Sequence, residues 1–450
     1  MSAYPELSRR MAPVCAEAVD DMEVAAVLES DGVTDATADR LYGSPDVFHL
    51  ARRLRADHPR RPSAVPPAPG PWRAQPWRHL LRGVLFGLPA VCYLAVSGVA
   101  AGRRAGVVLV VSVLLSWAAS QALAYLGHVR LGWGDRDGAA RVLRGGLLGL
   151  GAAVLAATAA TAAALHVPAP VTLVAAAQVT YLLAATVALV LGAEWLLVAA
   201  LAPGVGAAVT GVLLGGDAVR SAPVVCGAVG TVLASVAAAL WVTRGARPGP
   251  PTRAELRDAL PHAAFGLCVA GLLLFVPAAR TLPPPGVVDG GPGGAAAGLA
   301  ALVPLSVSMG VAEWLLVRYR ADTHRWLQRA VTLRQFAARA SLALARGTAV
   351  YLAVLVAGVA AGALLVTRAA PAALAGYVAL GAALFVALLL MTFRVRGPVV
   401  AGAAAALAAD AALLTAHPDP DRVQLITAGA LFLGLAAYAS VALSRAHRHL

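Results

Sequence analysis
Four charged residues stand in or at the edge of long runs of Ala, Val, Leu and Gly: Glu194, Glu313, Arg346 and Asp410. A charge set in lipid costs a few kcal/mol, so such a residue lines an interior pathway, pairs with a partner or snorkels to the surface. The chemistry open to them is reversible binding of a proton, an ion or a charged substrate group. Asp410 lies well inside its run and is the foremost candidate for a coupling carboxylate; pairing with an arginine or a backbone donor is the structural alternative. Glu194 and Glu313 each precede a tryptophan near a membrane edge, where an interfacial anchor and a proton or headgroup site are both open. Arg346 falls in the first turns of its run, within snorkelling distance of the surface. His79 and His262 head two further runs and suit the interface.

Catalytic chemistry has no comparable support. The chain carries no HExxH, no GxSxG, no phosphate-binding loop and no paired carboxylates on a soluble face. Its four cysteines, Cys15, Cys92, Cys226 and Cys268, lack metal-ligand spacing and suggest no disulfide framework. The expectation is therefore a protein that is not an enzyme and needs neither cofactor nor metal.

The elements that must position these charges are membrane helices. Of 450 residues, 59% are hydrophobic and 13% charged, with mean hydropathy +0.74, outside the range of soluble globular chains. A helix needs about 20 apolar residues to cross a bilayer. Twelve runs meet that length, at 80–101, 105–127, 143–165, 170–192, 195–215, 222–243, 261–279, 296–317, 342–366, 372–393, 398–416 and 423–443. The first begins too far along the chain for a cleavable signal peptide, so it serves as the insertion signal.

The net charge of +13 is carried by arginine, with no lysine. The arginines sit between the apolar runs rather than on one soluble face, which excludes nucleic acid as a partner. They concentrate in alternate loops: Arg130 to Arg144, Arg244 to Arg257, Arg318 to Arg339, Arg394 with Arg396, and the tail at Arg445 and Arg448. By the positive-inside rule both termini are cytoplasmic and the helix count is even, in a multi-pass protein of the plasma membrane. Arg103 and Arg104 are the main exception.

Residues 1–58 hold about half of the acidic residues and read as a separate cytoplasmic helical segment. Three helices are expected there, the first over about 11–29, the second capped by Thr34, the third opened by Ser44-Pro45-Asp46. A Pro-rich linker at 59–77 follows. Residues 78–243 then form a first bundle of six helices, 244–260 a connecting cytoplasmic loop, and 261–450 a second bundle with a short tail. Phe86-Gly87-Leu88 recurs as Phe265-Gly266-Leu267, and a shift of about 190 residues lays Arg130 on Arg320, as a parallel repeat would. A further echo cuts across that register: Ala193-Glu194-Trp195-Leu196-Leu197-Val198 returns as Ala312-Glu313-Trp314-Leu315-Leu316-Val317.

Two basic stretches could meet anionic headgroups. Between Arg318 and Arg339, Trp326, Ala330, Leu333 and Ala337 share one helical face, flanked by Arg325, Arg329 and Arg334. Such a helix would lie on the cytoplasmic leaflet, as a headgroup collector or as a positive-inside anchor. The second stretch is Gly132-Trp133-Gly134-Asp135, then Ala139-Ala140-Arg141 and Arg144-Gly145, with Asp135 placed to cap the next helix and Arg141 and Arg144 one turn apart.

That second stretch resembles the loop between the second and third membrane helices of the multidrug/oligosaccharidyl-lipid/polysaccharide exporter superfamily. The superfamily includes the MATE drug/cation antiporters and the polysaccharide flippases. The resemblance extends over about residues 78–445 in helix count and two-bundle division. It implies an all-α polytopic protein with about twelve transmembrane helices in two six-helix bundles, forming a V around a central cavity. The first span lacks the carboxylate typical of the antiporter branch, so the flippase branch is favoured.

The leading expectation is a flippase-type transporter that moves a lipid-linked saccharide or similar amphiphile during polysaccharide biosynthesis. Arg141, Arg144, Arg325, Arg329 and Arg334 would contact its headgroup, and Asp410, Glu313, Glu194 and Arg346 would serve substrate or ion coupling. A proton-coupled small-molecule exporter is one alternative. A non-transporting scaffold is the other, with residues 1–58 docking a cytoplasmic glycosyltransferase, a partner the transporter could share.

Overall fold
A computed structural model describes residues 3–59, 76–96, 102–214, 222–281, 293–330, 332–365 and 371–445. Most of the Pro-rich linker, and the Pro/Gly-rich stretch after Leu282, fall outside the described residues. The chain divides into two compact units. One comprises Met1–Arg73, Val317–Ala345 and Val441–Leu450; the other comprises Ala74–Leu316 and Arg346–Ser440.

In the first unit, residues 3–58 form four helices rather than three: α1 (Tyr4–Glu17), α2 (Asp21–Ser30), α3 (Asp35–Tyr42) and α4 (Val47–Asp57). The helix expected over 11–29 breaks because Asp20 and Glu23 cap a new start. The Asp20 carboxylate accepts from the Glu23 amide, and the Glu23 carboxylate accepts from the Val19 amide at 2.8 Å. Thr34 caps α3 as expected. Asp46, not Ser44, caps α4, where the His49 amide donates to it. Leu7, Met11, Cys15, Val24, Leu28, Leu50 and Leu54 fill the core between these helices, and burial pushes the Cys15 thiol up.

Twelve long helices follow: α5 (Pro76–Val96), α6 (Arg103–Gly132), α7 (Arg136–Ala164), α8 (Ala169–Val190), α9 (Glu194–Leu214), α10 (Ala222–Val242), α11 (Arg253–Thr281), α12 (Gly293–Arg329), α13 (Leu333–Leu365), α14 (Pro371–Thr392), α15 (Gly397–Ala416) and α16 (Pro420–Ala442). Among the described residues ten of them, α6 to α11 and α13 to α16, are long and apolar enough to cross a membrane, as in a multi-pass membrane protein. The described residues contain no strand.

The amphipathic surface helix expected between Arg318 and Arg339 does not form as a separate element. Its first half extends α12 to Arg329 and its second half begins α13 at Leu333. The break falls where Thr332 offers a cap: its hydroxyl accepts from the Gln335 amide and its carbonyl from Phe336. Ala330, Phe336 and Ala340 fill the corner with Trp326 and Leu327, while Leu333 points outward, 65% exposed. The 244–260 stretch is likewise helical from Arg253 onward.

The turn after α6 follows from its residue types. Gly134 takes φ +77°, which favours glycine, and the Asp135 carboxylate accepts from the Gly138 amide at 2.7 Å. A Cβ at Gly138 would stand 1.8 Å from that carboxylate, so only glycine fits.

Within the second unit α6 packs on α7 and α8, α8 and α9 on α10, and α5 on α9; α11 packs on α14 and α15. Among the described residues earlier helices also meet later ones, α6 against α11 and α5 against α12. Both use glycine for close approach. A Cβ at Gly266 of α11 would lie 3.1 Å from the Trp117 carbonyl of α6, one at Gly83 would lie 2.4 Å from the Val307 carbonyl, and one at Gly310 would lie 2.2 Å from the His79 carbonyl. Small residues are what let helix backbones meet inside a membrane.

Gly310→Val should therefore lower the thermal unfolding midpoint of the detergent-solubilised protein by several degrees. Gly149→Ala, with open space around the added methyl, should leave it unchanged or raise it, by roughly 0.5–1 kcal/mol of helix propensity. Equal effects would refute the close-approach account.

Candidate functional site: an ionic crossing and a buried carboxylate
The first turns of α5 carry Arg78, His79 and Arg82 on neighbouring turns of one helix, and they meet two carboxylates from different helices. Arg78 Nη2 donates to both oxygens of Glu194, at 2.9 Å each. Arg82 reaches Glu194 through Nε at 2.9 Å and Nη2 at 2.8 Å. The other side of the same guanidinium reaches Glu313 of α12, Nη1 to Oε2 at 3.5 Å, and His79 Nδ1 lies 3.3 Å from that oxygen. Arg82 also donates to the Leu189 carbonyl at the end of α8. His128 of α6 lies within electrostatic range of Arg82 and Glu313.

Glu194 is nearly sealed, its side chain 4% exposed, whereas Glu313 is 27% exposed. The cluster balances two arginines against two carboxylates. Both glutamates come from the echoed Ala-Glu-Trp-Leu-Leu-Val stretches, and the structure brings the two copies to one arginine. Trp77 and Trp195, the chain neighbours of Arg78 and Glu194, lie with their ring centroids 6.2 Å apart.

The other glycine-mediated pairing carries an ion pair of its own. Arg130 of α6 reaches Glu255 of α11, Nε to Oε1 at 2.6 Å. Glu255 is held in place because it completes a capping box with Thr252, accepting from the Thr252 amide at 2.8 Å while its own amide donates to the Thr252 hydroxyl. Nearby, Tyr125 of α6 stacks on His262 of α11 at 4.2 Å between centroids and accepts from Arg396, on the turn before α15. Arg136 donates to the Leu191 carbonyl and Arg144 to the Thr243 carbonyl, satisfying the ends of α8 and α10. Since consecutive helices alternate in direction, all these groups lie at one end of the bundle.

Asp410 stands apart from them, on the middle of α15. It is 0% exposed. One oxygen accepts from the Thr427 hydroxyl of α16 at 2.5 Å; the other, Oδ2, is buried without a hydrogen-bond partner. One turn before Thr427, Gln424 donates to the Leu272 carbonyl of α11 at 3.2 Å, leaving its Oε1 buried and unpartnered beside Gly376. A further turn back, Asp421 pairs with Arg280 at 2.5 Å. Asp421, Gln424 and Thr427 thus form a polar stripe, and among the described residues no arginine forms an ion pair with Asp410. An unpaired buried carboxylate is costly as the anion, so this site suits a proton or a small monovalent cation. A divalent ion would call for more charge, and among the described residues no three His, Cys, Asp or Glu side chains gather to hold one.

The remaining sequence candidates are surface groups. Arg346, Arg141, Arg329 and Arg334 are exposed, and Arg325 pairs locally with Asp322. Arg144 is half-buried and donates to the Thr243 carbonyl at the end of α10. Sequence reading missed Arg78, Arg82, Glu255, Gln424 and Thr427. The three-residue spacing of Asp421, Gln424 and Thr427 was the available signal for the last two.

Arg82→Ala leaves Glu194 buried with half of its partners and should cost about 3–5 kcal/mol. Arg78→Ala removes a side chain that is 38% exposed and should cost on the order of 1 kcal/mol or less. Thermal unfolding of the solubilised variants separates the two, and comparable losses would contradict the arrangement.

No protein-family model and no curated protein sequence matches the chain. Among solved structures it is similar to an outward-facing multidrug resistance MATE family transporter of the MOP superfamily, at 15% identity over 82% of this chain and 95% of that one, with TM-score 0.50. Similarity to a MOP superfamily transporter from Pyrococcus furiosus, whose reversed binding-pocket polarity suggests a different function, is 14% in identity over 83% and 98%, with TM-score 0.49. A MATE structure in complex with MaL6 shows 15% identity over 82% and 96%, again with TM-score 0.49. With its all-helical build and ten apolar helices, the chain has the fold of a MATE-like transporter of the MOP superfamily.

Proposed function
We propose that this chain is an alternating-access transporter of the plasma membrane, moving an amphiphile with an anionic headgroup from the inner to the outer leaflet. The observation that supports this reading is that the ion pairs between earlier and later helices gather at the end of the bundle where the arginines lie. There Arg82 and His79 meet Glu313, Arg130 meets Glu255, and Arg396 meets Tyr125. Ion pairs are suited to a contact that must open, because water entering the gap solvates both partners, whereas a dry apolar contact has no such replacement. The positive-inside rule makes this arginine-rich end cytoplasmic, so the conformation in hand is the one closed to the inside. Exposed Arg141 would help to gather the headgroup at that surface. A lipid-linked saccharide of envelope polysaccharide synthesis is the substrate we favour.

Proton-coupled export of a small molecule is the second reading, favoured by Asp410 with its unpartnered oxygen. The two separate experimentally. In cells lacking the chain, a membrane-impermeant probe should find lipid-linked saccharide retained on the inner leaflet, and re-expression should restore the outer pool. If leaflet distribution is unchanged while re-expression restores dye extrusion, the small-molecule reading stands instead. Under either reading Asp410→Asn should abolish transport at normal protein abundance; full transport by that variant would remove Asp410 from coupling.

A further inference from the structure
Two distant stretches of the chain bring arginines together where α7 begins and α10 ends. Over 136–145 and 243–252, Arg136, Arg141, Arg144, Arg244 and Arg247 stand against a single acid, Asp137. Backbone contacts fasten the loop after α10 to the first turns of α7. The Gly249 amide donates to the Arg141 carbonyl at 3.4 Å, and a Cβ at Gly145 would lie 2.8 Å from the Gly249 carbonyl. Arg144 closes the same corner by donating to the Thr243 carbonyl at 3.1 Å. Arg141, Arg244 and Arg247 remain exposed. The acids of the adjoining turns, Asp135 and Glu255, are held by Arg130, and among the described residues no carboxylate pairs with the exposed three.

The helix faces that run away from this corner are apolar and open. On α10, Val225, Val229, Leu233 and Ala237 are exposed at four-residue spacing and lead to Trp241, itself 59% exposed. On α7, which meets α10, Leu148, Ala152 and Ala156 are exposed on the face that Arg141 heads. Arg244 lies over the Trp241 ring, its Cζ 4.0 Å from the centroid. Apolar faces that end in a tryptophan and three cations match an amphiphile with an anionic head. We infer that this corner holds a phospholipid with an anionic headgroup, its phosphate against Arg141, Arg244 and Arg247 and its acyl chains along α7 and α10. A free phosphate would make no use of the apolar faces or of Trp241. Neither α7 nor α10 takes part in the α5–α12 or α6–α11 pairing, so this lipid is a resident of one half rather than the cargo. Arg141 is shared with the headgroup collection proposed above, whereas Arg244, Arg247 and Trp241 serve the resident lipid alone. The inference rests on the chain lying in a membrane and not on transport.

Trp241 can report on its own neighbour, with the full chain in lipid nanodiscs. Phosphatidylglycerol or phosphatidylcholine, each brominated on the upper acyl chain, is titrated into a phosphatidylcholine bilayer, and the quenching lost in Trp241→Phe isolates this ring. Brominated phosphatidylglycerol should quench it at a lower lipid fraction than brominated phosphatidylcholine. Arg141→Gln and Arg247→Gln should each weaken that preference by up to about fivefold, and Arg141→Lys, which keeps the charge, should retain it. High salt should weaken it as screening grows. Arg346→Gln, which removes an exposed arginine of α13, should leave it unchanged. Equal quenching by the two lipids, a preference that survives loss of both Arg141 and Arg247, or one that falls as far in Arg346→Gln would each overturn the inference. Inorganic phosphate that abolishes the preference at constant ionic strength would overturn it too, marking a soluble anion as the occupant. Because the readout is binding, a chain that shows the preference but fails every transport assay would refute the transport reading alone.

Discussion
The contact on which this molecule depends is the backbone approach of α5 and α12 at Gly83 and Gly310. Side chains of ordinary size would hold the helices too far apart for Arg82 to touch Glu194 and Glu313 together. The two glycines therefore set the geometry of the charges as well as the packing. Glu313 lies one helical turn from Gly310, and His79 and Arg82 lie within a turn of Gly83. At this spacing the ion pairs and the close contact form or break together. Neither would hold alone: glycine contact brings little apolar area, and arginine–glutamate pairs at a wet interface are weak when nothing fixes their distance.

The helix pairings also show an order that the sequence repeat hints at. Moving six helices along the chain carries α5–α9 onto α11–α15, and carries α5–α12 onto α11–α6 when the two halves exchange. Both members of each set are present. What differs between the equivalent contacts is the sign of the charges. In α5–α12 the earlier half supplies the bases and the later half the acid, and α6–α11 has the same division, with Arg130 from the earlier half and Glu255 from the later. The two ties thus attract in the same sense, each arginine that bridges the halves being met by a carboxylate.

Sequence patterning made much of this legible and left the rest dark for physical reasons. Long apolar runs locate helices well, because lipid forces each backbone polar group to be satisfied within its own helix. Glu194, Glu313 and Asp410 stood out for the same reason, as charges that lipid would reject. Their partners did not, because an arginine near a span edge reads as a topology signal, and Arg78 and Arg82 sit at such an edge. The echo of Ala-Glu-Trp-Leu-Leu-Val was visible as a repeat out of register with the other repeats. Only the fold shows that two unrelated positions, the start of α9 and the middle of α12, face the same arginine. The reading of Trp326, Ala330, Leu333 and Ala337 as one face failed because periodicity assumes an unbroken helix. Thr332 breaks it, rotating Leu333 out to the surface while Phe336 becomes the buried residue.

Two carboxylates now carry different chemistry, and the difference follows from their surroundings. Glu313 is partly exposed and has positive partners that it can lose, so its pairing is tied to whether the crossing is closed. Asp410 is sealed among α11, α15 and α16 with a hydroxyl for a partner, so its charge state is tied to whatever small cation or proton can reach it. A carboxylate that answers to shape and a carboxylate that answers to an ion are the two elements that coupling requires, provided that movement at one changes access to the other. The physical link between them is α11, which holds Gln424 of the Asp410 stripe through the Leu272 carbonyl and packs through Gly266 onto α6. Displacement of α11 against α6 would carry the Leu272 carbonyl with it, so on the transport reading proposed above the polar stripe beside Asp410 would move with the same helix whose start is pinned by Glu255 and Arg130.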